Sequence, residues 1–143
     1  MIRVIVADDH TVLRDGLRYL LEAQGDIQII GMAANGQEAV DQAAQSCPDV
    51  ILMDISMPVM NGIEATRHIC RICSNTKVAI LSMHHTAEYM QRALEAGAVG
   101  YLLKDSAGAE LVTAIRAIHN GKRYLSPQVA KSLGANSLWK TGK

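Results

Sequence analysis

Three aspartates, a serine and a lysine stand where short apolar runs give way to polar residues. Asp8 and Asp9 follow the run over residues 2–7, Asp54 ends the run over 50–54, Ser82 ends that over 78–82, and Lys104 follows that over 99–103. A single strand-end acid ordinarily caps the helix or turn after it. Three that converge repel one another and call for a compensating cation. An all-oxygen cluster that keeps several waters suits Mg²⁺, with Mn²⁺ as the alternative ion. Taken singly, Lys104 reads as a surface lysine and Ser82 as a strand-end cap. Beside the acids, the lysine neutralises the oxygens of a dianionic group, the hydroxyl donates a hydrogen bond to it, and a carboxylate is available as nucleophile. Phosphoryl chemistry fits that combination.

Convergence requires particular elements in a particular order. The apolar runs predict strands over residues 2–7, 27–33, 50–54, 78–82 and 99–103, and helix-period stretches fill 12–23, 36–46, 62–73, 86–96 and 107–119, with Leu111, Ile115 and Ile118 on one stripe. Strands without polar alternation, each followed by a helix, pair in parallel and are covered on both faces by right-handed crossovers. The expected fold is therefore α/β, a flavodoxin-like (βα)5 open sandwich with a five-stranded parallel sheet of order 2-1-3-4-5. Ligands of such sheets bind beyond the carboxyl ends of strands 1 and 3, where Asp8, Asp9 and Asp54 fall. Gly25 and Gly97 suit helix ends, Asn35-Gly36 and Asn61-Gly62 suit turns, and Pro48 and Pro58 interrupt helical geometry.

A chain of 143 residues, 49% hydrophobic, is long enough for one domain with a proper core. No apolar run is long enough to cross a bilayer and the N-terminus reads as a strand, so a soluble, cytoplasmic protein is expected with no membrane partner. Residues 1–121 carry 9 Lys and Arg against all 14 acids, a formal charge of −5, whereas residues 122–143 carry five basic residues and no acid. An acidic body with a basic tail does not suit the body to nucleic acid. An odd number of cysteines, three, predicts reduced thiols rather than a disulfide framework. Cys70 and Cys73 form a CxxC at the end of a helix-period stretch, where structural thiols are expected, and Cys47 with scattered histidines does not complete a zinc site. Met53, Met83 and Met90 read as core, and His84 and His85 as loop residues that point apart. Residues 128–133 suggest a short helix with Ser126 as cap and Pro127 at its first position; residues 134–143 read as a linker, a disordered end or a cloning remnant.

Asp8-Asp9, Asp54 with Met57-Pro58 and Asn61-Gly62 after it, Ser82, Tyr101 and Lys104 occur in the order and positions of a bacterial two-component response regulator receiver domain, which residues 1–121 resemble. Leu81-Ser82-Met83-His84, Gly100-Tyr101-Leu102-Leu103-Lys104-Asp105 and Gly121-Lys122-Arg123-Tyr124-Leu125-Ser126-Pro127 resemble the NarL/FixJ (LuxR-type) transcription regulators. The resemblance implies that a histidine kinase phosphorylates Asp54, that Asp8, Asp9, Asp54 and the Ser56 backbone carbonyl hold Mg²⁺, and that Lys104 contacts the phosphoryl group. It makes Ser82 the switch hydroxyl, where Thr is common, and Tyr101 the switch aromatic. The Tyr101 ring is expected either to turn inward on phosphorylation or simply to pack at the strand end. Met83 stands where many receivers have a smaller residue and narrows access to the acyl phosphate, while Ser56 and His84 tune its hydrolysis. Residues 122–143 then link to a helix-turn-helix domain outside this chain, through which alone DNA is bound, and phosphorylation can drive homodimerisation.

Two other readings use the same residues. A stand-alone receiver would act through protein contact, its helix 4 and helix 5 face read by a partner. A phosphatase of the haloacid dehalogenase class also uses a strand-end Asp, a Lys and Mg²⁺, but places a general-acid Asp two residues after the nucleophile. Ser56 occupies that position, so a switch is expected rather than a turnover enzyme.

Overall fold

The computed structural model describes residues 1–83, 86–105 and 108–133. Strands β1 (Ile2–Ala7), β2 (Ile27–Ala33), β3 (Val50–Met53), β4 (Lys77–Ser82) and β5 (Gly100–Leu103) alternate with helices α1 (Thr11–Glu22), α2 (Gly36–Ser46), α3 (Gly62–Ile72), α4 (Ala87–Ala96) and α5 (Gly108–His119). All strand pairs are parallel. The flavodoxin-like order 2-1-3-4-5 is present and continues into a sixth strand, β6 (Tyr124–Leu125), followed by α6 (Pro127–Leu133).

Alternate side chains of each strand enter opposite layers, which is why the runs lack polar positions. Ile5, Ile51, Met53 and Ile80 pack with Ala39, Ala43, Ile63, Ile69 and Met90 under α2, α3 and α4. Val4, Val6, Leu52, Leu81 and Leu102 pack with Leu17, Leu21 and the stripe of Leu111, Ile115 and Ile118 under α1 and α5.

Several expectations need correction. The short helix expected at 128–133 is present as α6, beginning at Pro127, but the stretch before it is not a free linker: Tyr124 and Leu125 pair with Gly100 and Tyr101, and Val129 of α6 is fully buried. Two strand residues were too few to read as a strand. Asn35 and Asn61 are not turn residues but helix N-caps, whose side chains accept from the Glu38 and Glu64 backbone N–H at 2.8 and 2.9 Å. Met53 and Met90 are core, but Met83 is 74% exposed, because it lies just past the end of β4. Cys47 and Cys73 are joined in a disulfide while Cys70 is free, against the expectation of three thiols. Their spacing conceals this: α2 and α3 end side by side, so residues 26 apart in sequence have Cα atoms 5.6 Å apart. His84, His85, the predicted helix start at 107, and residues 134–143 lie outside the described residues. Among the described residues no helix is long and apolar enough to cross a membrane.

Candidate functional site

Strand register brings the site together. Ala7 pairs with Met53, so Asp8 and Asp54 leave the sheet on adjacent strands, and Ser82 pairs with Leu103, so Lys104 follows beside it. Backbone bonds carry this one residue further: Asp54 N–H donates to Ala7 O at 2.9 Å, Asp8 N–H to Ala33 O at 3.0 Å, and Lys104 N–H to Ser82 O at 2.8 Å.

The loop after Asp54 is held by two close backbone approaches. Gly62 N–H donates to Ile55 O at 2.9 Å, and a Cβ at Gly62 would lie 1.9 Å from Asp54 O. Gly36 N–H donates to Met60 O at 3.0 Å, and a Cβ there would lie 2.1 Å from that oxygen. Only glycine fits at these two helix starts. Val59, between them, takes a left-handed φ of 70°, a conformation costly for a β-branched residue.

Asp8 and Asp54 are 1% and 2% exposed. Lys104 Nζ lies 2.9 Å from Asp8 Oδ2 and 3.1 Å from Asp54 Oδ2. Asp54 Oδ1 accepts from the Ser56 backbone N–H at 3.3 Å, and Asp8 Oδ1 from that of His10 at 2.8 Å. Apart from the ion pairs with Lys104, Asp8 Oδ2 and Asp54 Oδ2 have no hydrogen-bond partner among the described residues. Burial, then the Asp8 charge, pushes the Asp54 carboxyl above the usual range despite Lys104. Burial opposes the Lys104 ammonium, but its hydrogen bonds to Asp8 and Asp54 and their charges outweigh that and hold its pKa above the ordinary value. Charge crowding adds to burial at Asp54 and outweighs it at Lys104, because one ammonium faces two buried carboxylates.

Ligand atoms of Asp8, Asp9, His10 and Asp54 lie within 4.8 Å of one another. The buried Oδ2 atoms, paired only with Lys104 among the described residues, and the carboxylate-rich donor set fit a hard divalent cation. Sequence reasoning missed His10. Its Nδ1 lies 2.9 Å from Asp8 Oδ1, 3.3 Å from Asp9 Oδ1 and 3.3 Å from Lys104 Nζ, at the solvent-facing edge of the site. Its place directly after the paired acids was the available signal.

Ser82 and Tyr101 are each 1% exposed. Burial pushes the Tyr101 phenol up to about 12, against a hydrogen bond with Ser82. The ring therefore lies inward in this structure, linked to the hydroxyl at the site. Ser56 is exposed and follows Asp54 by two residues.

A doubly wound parallel sheet with an acidic, lysine-braced crevice at the ends of β1 and β3 defines a flavodoxin-like α/β architecture with its site at the topological switch point. Residues 4–116 match the response regulator receiver domain family, and the chain belongs to it. It is 48% identical over 130 residues to the transcriptional regulatory protein LiaR of Bacillus subtilis, covering 91% of this chain and 62% of LiaR. A LuxR-family two-component response regulator from Aurantimonas superposes with a TM-score of 0.87 at 39% identity, over 92% of this chain and 94% of that one. The receiver domain of the NarL regulator from Mycobacterium tuberculosis superposes with a TM-score of 0.80 at 34% identity, over 85% and 98%. These likenesses make the chain a receiver of the NarL/FixJ (LuxR) type. It spans about three fifths of the length of LiaR.

Proposed function

We propose that this domain accepts a phosphoryl group on Asp54 from a sensor histidine kinase and switches conformation to control transcription. The observation that carries the reading is the Lys104 ammonium shared between two buried carboxylates, one of which, on Asp54, lies at the end of the central strand. Asp54 Oδ2 attacks phosphorus, the bond to the donor's leaving group breaks, and that group departs with the bonding electron pair. Lys104 turns from a counter-ion of Asp54 into a partner of the phosphoryl oxygens. Asp8, Asp9, Asp54 and the Ser56 carbonyl would hold Mg²⁺, or Mn²⁺ in its place, which would supply positive charge to those oxygens. His10 orients Asp8 through two contacts to Oδ1.

Ser82 is the switch hydroxyl. Drawn toward the new oxygens, it changes its bond to Tyr101, and the inward ring is one of two arrangements of the face formed by α4, β5 and α5. With Ser56 where a phosphatase would carry its general acid, this is a switch and not a turnover enzyme. The length of LiaR beyond the matched region, in a protein named as a transcriptional regulator, supports a further DNA-binding domain in the whole protein. The same reading includes homodimerisation on phosphorylation and a cytoplasmic setting.

The test is intact mass. Incubated with Mg²⁺ and acetyl phosphate, the parent gains one phosphoryl group, and an Asp54→Asn variant or a chelated sample gains none. Uptake by the variant, or uptake without metal, contradicts the reading.

A further inference from the structure

Cys70 and Cys73 form a CxxC in sequence, yet the fold sends their sulfurs to different neighbours. Cys70 Sγ lies 3.8 Å from Gly97 O, at the end of α4. Cys73 Sγ meets Cys47 at the end of α2. Cys47 is exposed, Cys73 is 3% exposed, and Cys70 is half-buried. Thr76 Oγ1 donates to Pro48 O at 2.6 Å, so the loops carrying the pair are also joined by a hydrogen bond beside it. Cys73 Sγ lies 3.2 Å from Ala43 O, which gives the reduced thiol an acceptor.

We propose that Cys47 and Cys73 form a reversible thiol–disulfide site that exchanges with low-molecular-weight disulfides and sets the stability of the domain. The exposed Cys47 thiolate attacks one sulfur of the small disulfide, forming a mixed disulfide and expelling one small thiolate. Cys73 then loses its proton to solvent and attacks Cys47 Sγ, expelling the second small thiolate; both small thiolates take up protons. The two cysteines lose two electrons in all and the small disulfide gains them. Uncatalysed exchange of this kind takes minutes to hours. Cys70 stays outside the pair: it faces α4, and burial pushes its thiol pKa up and keeps it protonated.

The bridge closes a loop that contains β3, Asp54 and α3, and so restricts the unfolded chain. Cys47 and Asp54 flank opposite ends of β3, so oxidation changes stability without rearranging the acidic crevice. The inference does not depend on Asp54 being phosphorylated.

The experiment equilibrates the chain overnight in glutathione buffers of stepped reduced-to-oxidised ratio, quenches with acid, alkylates and weighs it. The reduced end is expected to give three adducts. The oxidised end gives one, on Cys70, with a Cys47–Cys73 link in the peptide map and a Tm higher by roughly 10 °C. Cys47→Ser removes the link and the Tm rise, and Cys70→Ser keeps both. Three adducts at every ratio, a Cys70–Cys73 link, or glutathione left on Cys47 without closure would each overturn the proposal.

Discussion

Lys104 Nζ stands 3.1 Å from Asp54 Oδ2, on a side chain only 11% exposed. The same nitrogen is 2.9 Å from Asp8 Oδ2, so one cation serves two buried anions. Removing the cation and removing one anion therefore have opposite effects on stability.

Lys104→Met leaves two buried carboxylates without their counter-ion, and such losses are costly. At neutral pH without metal the variant should lose roughly 2–4 kcal/mol in urea denaturation, and take up phosphoryl groups from acetyl phosphate at least about tenfold more slowly. Unchanged stability would mean that the pairing is absent in solution.

Asp54→Asn should stabilise the metal-free domain. The Asp54 pKa is raised on folding, so its contribution favours the fold below the unfolded value and is lost as pH rises through the folded one. At neutral pH the carboxylate costs stability, and the variant gains about 1 kcal/mol, a Tm rise of roughly 3–5 °C in chelator. The advantage shrinks toward pH 4, and Mg²⁺ narrows it at neutral pH by stabilising the parent. A neutral-pH Tm below the parent's in chelator would count against the crowded-carboxylate account.

Tyr101 carries the same sign at the alkaline end. With its phenol pushed up to about 12 by burial, the folded state holds a proton that the unfolded chain releases near pH 10. Stability should fall between those values by about 2–3 kcal/mol and fall less in Tyr101→Phe, as read from denaturation at stepped pH. Parallel profiles for the two proteins would place the ring in solvent.

Val129 tests whether α6 belongs to the folded unit. It is fully buried in the layer that contains Tyr101, so Val129→Ala should cost roughly 1–2 kcal/mol, and ending the chain at Gly121 should cost more. No change on either would show that β6 and α6 detach in solution.

Elements with long hydrophobic signals were legible in the sequence. The apolar runs correspond to β1 through β5 within a residue at each end, and strand-end positions alone put Asp8, Asp54, Ser82 and Lys104 on one edge of the sheet. What escaped depends on tertiary approach. Pairing of Cys47 with Cys73 needs the ends of α2 and α3 to meet, which no spacing within one helix records. His10 acquires its contacts from Asp9 and Lys104 only after folding, and β6 is two residues long. Asn61-Gly62 suits a turn by residue preference, but Glu64 three residues on supplies the backbone N–H that Asn61 caps, and the Gly62 approach to Asp54 requires the missing side chain.

The most direct measurement is chemical localisation of the phosphoryl group. After reaction with acetyl phosphate and Mg²⁺, borohydride reduces an aspartyl phosphate to homoserine, which peptide mapping locates. Conversion at position 54 alone is the predicted result. Homoserine at position 8 or 9, or phosphate that survives reduction on a serine, would contradict the assignment of Asp54 as the acceptor.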